Sequence, residues 1–302
     1  MALFHLLREL APHLGIRLGL VHFDHALRRG SEIDFRFVRR MAHEFHVPFY
    51  GERGRLKKER FKKNLSPEEK ARKSRYEFFQ KIARRTRIRK IALGHHWDDQ
   101  AETVLMRLIQ GTGLRGLQGI RPVMKSNRVM FIRPLLELRR SEIRRFLKEQ
   151  SIPYREDPTN QSKRFLRNRI RHQLLPLLER KFNPQIRESL NRLAETAVAE
   201  TIGLDDWVTR NWRAYVYSRR NGMVRLNRDS FLSLPGVLQF RVLDQVLHQL
   251  DPRSGLDFKS WERIEEGIRK GHYRATLPRN LDLNLTAGKF SILRCLPRRG
   301  RK

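Results

Sequence analysis

One cysteine, Cys295, stands in a chain of 302 residues. A lone thiol excludes an intrachain disulfide and any thiolate cluster for zinc or iron–sulfur. Its neighbours Leu293 and Leu296 read as strand, so an inert thiol is expected. Acidic residues are also scarce: 32 Asp and Glu face 65 Lys and Arg, a net charge of +33 and a pI near 11.4. The basic residues run along the whole chain, which points to a polyanionic partner. Nucleic acid fits better than a membrane, because no long basic amphipathic helix with a wide apolar face stands out. No apolar run approaches the roughly 20 residues that span a bilayer. The apolar start, Met1 to Leu7, lacks a basic leader and is cut short by Arg8-Glu9, so it is not a signal peptide. The expectation is a cytoplasmic protein with no membrane partner; the oligomeric state is left open, a homodimer included.

The length suits about two domains of roughly 150 residues each. Leu3, Leu6, Leu7, Leu10 and Leu14 recur at helical spacing and predict a helix over 2–14, stopped by Gly15. Residues 16–23 read as a buried strand and 31–46 as a helix, with Ser31 as N-cap and Asp34 three residues on. An extended segment at 47–50 is followed by a basic, solvated stretch at 53–65. Ser66-Pro67 opens a helix running to about Arg85, and a strand over 88–93 leads by Gly94 into a helix over 98–109. Strand and helix alternate with short turns, as in a parallel α/β sheet with helices on both faces and ligands at the strands' carboxyl ends. After about residue 175 the pattern changes to helices at 185–215 and 237–250 and loose strands at 281–296. The predicted domains are 1–182, then a mostly helical 183–296 beyond a hinge at Asn183-Pro184, and a basic tail 297–302.

The densest chemistry lies in Gly94-His95-His96-Trp97-Asp98-Asp99-Gln100-Ala101-Glu102-Thr103. Asp99 and Glu102 are three apart and share a helix face, so they predict an anionic pocket for an ammonium group or Mg²⁺. The plainer alternative makes Asp98 the helix cap and the rest surface. His95 with Asp99 has metal-ligand spacing, but no third ligand is evident and no resident metal is expected. Arg164, Arg167 and Arg171 share one helix face while Leu166, Ile170 and Leu174 share another, a basic stripe suited to phosphates that could equally be solvated. Asn160 and Asn168 add planar hydrogen-bonding groups. Gly111, Gly113 and Gly116 give a backbone that can approach a nucleotide, or simply a connector. Arg72 and Arg75, with Tyr76 beside them, suit a triphosphate or an RNA backbone.

Together these segments resemble the tRNA(Ile)-lysidine synthetases, a family of PP-loop ATP pyrophosphatases. The resemblance rests on Gly-His-His-x-Asp-Asp-x-x-Glu-Thr at 94–103, His25-Ala26-Leu27-Arg28, Ala71 to Tyr76, Gly111 to Leu117, Arg133-Pro134-Leu135-Leu136, Glu156 to Asn160 and Arg167 to His172, in that order. It covers residues 21 to 176 and thins beyond 180. It implies a PP-loop (adenine nucleotide alpha hydrolase-like) domain with a smaller tRNA-binding domain. It also implies ATP with Mg²⁺, free L-lysine and the tRNA(Ile) with a CAU anticodon. In such a reaction ATP adenylates the C2 oxygen of the wobble cytidine, and the lysine side-chain amine then displaces AMP. The roles implied are Asp99 and Glu102 for the substrate lysine, with His95 and Arg171 among the catalytic groups. His25, Arg28, Gly94, His95, Gly111 and Gly113 would lie by ATP, and Arg72, Arg75, Arg164, Arg167, Asn168 and Arg171 by tRNA.

The family's Ser-Gly-Gly-x-Asp-Ser loop, whose backbone N–H groups grip the pyrophosphate of ATP, occurs nowhere in the chain. Met1 to Leu7 resembles the helix that follows that loop. The expectation is an N-terminally truncated PP-loop domain, with the native start upstream of Met1. The competing readings are a tRNA-binding protein without catalysis, a sulfur-transferring relative, for which one cysteine is too few, and a small-molecule amidating ligase, for which the charge is out of place.

Overall fold

The computed structural model describes residues 1–26, 30–54, 67–126, 128–162, 165–220, 222–251, 254–277, 279–286 and 288–294. Arg28, Arg164, the 55–66 stretch with Ser66, Cys295 and the 297–302 tail lie outside the described residues. In chain order the elements are α1 (Ala2–Leu14), β1 (Leu20–Asp24), α2 (Ser31–Glu44), β2 (Phe49–Arg53), α3 (Pro67–Thr86), β3 (Lys90–Ala92), α4 (Trp97–Ile109), α5 (Leu114–Leu117), β4 (Val123–Ser126), β5 (Val129–Ile132) and α6 (Arg140–Glu149). A 3-10 turn (Pro158–Gln161), α7 (Leu166–Arg169), a π-helical turn (Ile170–Leu174), α8 (Leu175–Lys181) and α9 (Ile186–Arg210) follow. Then come α10 (Trp212–Tyr215), β6 (Val216–Arg220), β7 (Met223–Leu226), α11 (Arg228–Leu232), α12 (Gly236–Leu250), α13 (Phe258–Arg269), β8 (Tyr273–Leu277), β9 (Leu281–Thr286) and β10 (Lys289–Arg294).

The chain divides into two compact units: Met1–Thr112 with Gly116–Glu195, and Gly113–Arg115 with Thr196–Lys302. The division falls inside α9, not at Asn183-Pro184. In the first unit β1 pairs with β2 in parallel, and β3 pairs with β5 in parallel while β4 runs antiparallel to β5. The parallel pairing agrees with the alternation of the sequence, but among the described residues the strands form two small sheets. Their shared core sets Phe78, Phe79, Ile82 and Ala83 of α3 against Ile91, Val129 and Phe131, with Val21 and Phe23 at its margin. A second core sets Ala101, Val104 and Leu105 of α4 against Ile170, Leu175, Leu190 and Ala194. Burying each such Leu or Ile side chain contributes about 1.5–3 kcal/mol, and this core fixes α4 against the α7–α8 segment.

Beside the predicted helices the second unit has α11 and α13, which were not expected from the sequence. It carries a five-stranded antiparallel sheet in the order β6-β7-β10-β9-β8, whose last strands alone were legible as 281–296. Leu281, Leu283 and Leu285 alternate inward on β9 and meet Phe231, Leu243 and Ile264. The start of α2 also differs: Gly30, at φ 83°, is the N-cap, and Ser31 is buried inside the first turn. Asp34 is ion-paired to Arg155 at 2.7 Å instead of closing a capping box.

Candidate functional site

The site is built entirely in the first unit, from turns that follow strands. β1 ends in Asp24, whose Oδ1 accepts the N–H of Ala26 at 2.8 Å and whose Oδ2 lies 3.1 Å from Arg53 Nε. This fixes the chain on either side of His25. Arg75 of α3 donates from Nε to His25 Nε2 at 3.3 Å. An arginine can only donate, so the neutral ring carries its proton on Nδ1, and that atom is buried with no partner. Burial, then the positive charge of Arg75, lowers the His25 pKa to about 4.

One turn back on α3, Arg72 lies over the Tyr76 ring at 5.1 Å and donates to its hydroxyl at 3.3 Å. Arg133, which follows β5, reaches the same hydroxyl at 3.5 Å and the carbonyl of Arg121 at 2.6 Å. Arg133 is only 5% exposed, and its Nε is buried without a partner. Among the described residues neither Arg72 nor Arg133 has a carboxylate partner. Two guanidiniums thus converge on one neutral phenol, a concentration of uncompensated positive charge that favours an anion.

His95 follows β3 and joins this basic group to an acidic one. Its pKa is lowered to about 4, by burial first and by Arg133, Arg72 and Arg167 against the opposing pull of Asp99; its Nδ1 is buried and unpartnered. Gly94 has no left-handed φ, and a Cβ there would meet nothing within 4 Å, so the turn itself does not demand glycine. What the glycine leaves is open space beside His95.

The carboxylates sit on the first turns of α4. Asp99 Oδ2 accepts the N–H of His96 at 3.0 Å, so Asp99, not Asp98, closes the start of the helix. Asp98 turns outward from this pair: it accepts the N–H of Arg140 at 2.8 Å and faces Arg187 Nη1 at 3.3 Å. The pocket predicted to be open for an ammonium group is filled by this chain's own arginines. Arg167 meets Asp99 at 3.0 Å and Glu102 at 2.9 Å, and Arg171 meets them at 3.1 and 2.5 Å. The Glu102 side chain is 1% exposed; an unpaired carboxylate at that depth would be costly, and two forked guanidiniums satisfy it. Burial alone would raise Asp99, but Arg167, His96 and Arg171 outweigh it and hold the carboxyl below its ordinary range. Arg171 lies in the π-helical turn, four residues on from Arg167, so the two share a face and meet the same two acids.

Other predicted residues have structural duties here. Asn168 is buried and donates from Nδ2 to Ser162 O at 2.8 Å, so it braces a loop. Gly111, at φ 73°, terminates α4 in the left-handed conformation and donates to Leu108 O at 3.1 Å. Gly113 belongs to the second compact unit. A Cβ on Gly116 would overlap the Thr112 side chain, and Arg107 Nη1 holds the Gly116 and Gly119 carbonyls at 2.6 and 2.9 Å. The turn is therefore held together from within. Tyr76 and Arg133 were visible in their motifs but carried no predicted role; their convergence joins residues 57 apart in the sequence. Among the described residues no three His, Cys, Asp or Glu side chains come together to hold a metal ion.

Residues 1–178 match a family model described as a PP-loop domain. The chain is 32% identical over 283 residues to a tRNA(Ile)-lysidine synthase of Clostridioides difficile (strain 630), spanning 92% of this chain and 61% of that protein. It is 37% identical over 270 residues to the Solibacter usitatus tRNA(Ile)-lysidine synthase, spanning 87% of this chain and 58% of that one. With the Nostoc sp. tRNA(Ile)-lysidine synthase it shares 33% identity over 280 residues, 88% of this chain and 78% of the relative. The chain thus spans about three fifths of the length of several of these relatives. Among solved structures, the U34-tRNA thiolase NcsA from Methanococcus maripaludis with its 4Fe–4S cluster superposes with a TM-score of 0.52 at 17% identity, over 65% of this chain and 66% of that one. At that identity the likeness is one of fold. The motif residues assembled around His95 and the match over most of the chain agree: this chain belongs to the tRNA(Ile)-lysidine synthase family of PP-loop proteins.

Proposed function

We propose that the chain carries the ligase chemistry of a tRNA(Ile)-lysidine synthase in the cytoplasm. The reaction is ATP-dependent attachment of free L-lysine to C2 of the wobble cytidine in the CAU-anticodon tRNA(Ile). The observation that carries this reading is His95, held neutral between two opposite groups: the acid-free guanidiniums of Arg72 and Arg133, and the carboxylate of Asp99. The first group fits a polyphosphate, and the orphaned Arg133 Nε and the open space beside Gly94 support that fit. ATP would supply the adenylate leaving group, while Arg72, Arg75 and Arg133 neutralise phosphate charge. Neutral His95 and His25 keep that field from being raised further and offer uncharged ring nitrogens. Magnesium would enter on the phosphates and water, as is usual for that ion, and no step is routed through it.

For lysine to be bound by Asp99 and Glu102, Arg167 and Arg171 must give up part of their hold on these acids. Anionic tRNA or nucleotide is the natural competitor, because phosphate takes a guanidinium in the same forked geometry. In this reading the two arginines exchange carboxylate for phosphate as substrates arrive, and the acids then orient the lysine. The second unit would hold the remainder of the tRNA. The non-catalytic reading draws support from the same observation, since both acids are ion-paired within the chain. Incorporation of labelled lysine into the CAU tRNA(Ile) in the presence of ATP and Mg²⁺, with matching pyrophosphate release, separates the two. Tight tRNA binding without incorporation would favour the tRNA-binding protein.

A further inference from the structure

The second unit holds a basic, aromatic cavity that the reaction above does not use. It is about 350 Å³ and is lined by Thr209, Arg210, Trp212, Arg213, Gln245 and Gln249, at the bend between α9 and α10 and along α12. That volume is at the small end of the range typical of ligand sites. Of the four tryptophans, Trp97 lies against the Arg139 guanidinium at 4.2 Å, Trp207 stacks on Tyr215 at 5.9 Å, and Trp261 meets Phe240 edge-on at 5.7 Å. Among the described residues Trp212 has no ring or cation partner; it packs partly on the core of its unit and also walls the cavity. Arg210 and Arg213 are exposed, and among the described residues they have no acidic partner. Among the described residues Gln245 makes only long side-chain contacts, 3.4 Å to Asp205 O and to Thr209 Oγ1.

We infer that this cavity takes one unpaired nucleotide of an RNA strand, with its base on Trp212 and the flanking phosphates on Arg210 and Arg213. Two charges without acids call for an anion, and an indole face without a partner calls for a planar group; a nucleotide out of a helix supplies both. A base locked inside a duplex cannot present its face, so single-stranded RNA is the occupant. Glutamine amides at the rim add hydrogen-bonding groups for a base edge. The site is separate from the lysine-joining chemistry and stands whether or not that reaction is confirmed.

The test titrates the full chain with a short oligoadenylate and with a duplex RNA of equal length, following tryptophan emission and bound RNA at several salt concentrations. The oligoadenylate is expected to quench emission, and Trp212→Phe is expected to remove most of the quench while keeping most of the affinity. Trp212→Ala is expected to weaken binding about tenfold, the size of one lost stack. Because Trp212 also packs on the core, the decisive variant is the exposed pair Arg210→Ala/Arg213→Ala. It should unfold like the parent, bind the oligoadenylate more weakly, and flatten the logarithmic salt dependence by about 1.4, the slope expected for two phosphates on a single strand. Arg192→Ala, an exposed arginine of the first unit, is the control for bulk charge. If the double variant keeps the parent's affinity and salt slope, or if duplex RNA binds as well and quenches as strongly, the inference is wrong. Lysine incorporation is scored separately. Its absence with a Trp212-dependent quench would sink only the proposed reaction, and its presence without the quench would sink only this site.

Discussion

The two ends of the site around His95 handle charge in opposite ways. At the acidic end Asp99 and Glu102 are matched one for one by Arg167 and Arg171, all four largely buried. At the basic end Arg72 and Arg133 share a neutral tyrosine hydroxyl and have no acid among the described residues. A balanced cluster holds the fold in place; an unbalanced one has affinity left for a ligand. The prediction is therefore asymmetric. Disturbing the acidic end should cost stability first and activity second, whereas removing the exposed Arg72 at the basic end should cost ligand affinity with little effect on stability.

The largest effect should come from Glu102→Ala, which leaves two buried guanidiniums short of a partner. Breaking one side of such a buried pair costs about 3–5 kcal/mol, measurable as a lowered midpoint in urea. A loss below about 1 kcal/mol, the range of surface pairs, would mean that the acidic end is not the closed network described. Next, Arg72→Ala should leave the urea midpoint nearly unchanged, since the side chain is exposed, but lower ATP-dependent lysine incorporation at least tenfold, about 1.4 kcal/mol of lost binding or transition-state stabilisation. Equal losses at both ends would erase the contrast.

The histidines sharpen it by pH. His95 and His25 have folded-state pKa values of about 4, below the ordinary 6.5. Below pH 6.5 the unfolded chain takes up protons that the folded chain refuses. Their contribution is therefore complete above pH 6.5 and is lost as pH falls toward 4. His95→Gln should flatten the fall in stability over that window, read from urea midpoints at successive pH values; an unchanged slope would contradict a buried neutral ring. The smallest effect should be Gly111→Ala, where a left-handed φ of 73° makes a Cβ cost about 1 kcal/mol. Such a change should lower stability without altering the KM for ATP, because the glycine closes a helix.

The sequence made the α4 motif plain because its acids, histidines and glycine fall within one strand-to-helix turn. Periodicity likewise gave α1 and α4 to within a residue of their observed limits. The pairing of those acids was not legible. Arg167 lies 65 residues from Glu102, and a local reading of its helix sees only a stripe that could face solvent. The π-helical turn at Ile170–Leu174 carries no signal in a pattern read at 3.6 residues per turn. β6, β7 and β8 escaped for a different reason: each is only four or five residues long, too short for its pattern to stand out from the neighbouring segments.

The central claim is that Asp99 receives the lysine substrate once its arginines let go. Its most direct test is lysine-dependent incorporation into the CAU tRNA(Ile) by the parent protein and by Asp99→Asn, with tRNA binding measured alongside. The account predicts saturable, ATP-dependent incorporation by the parent, and a variant that still binds tRNA but has a greatly raised KM for lysine or no turnover. An Asp99→Asn variant with the parent's lysine dependence would contradict it.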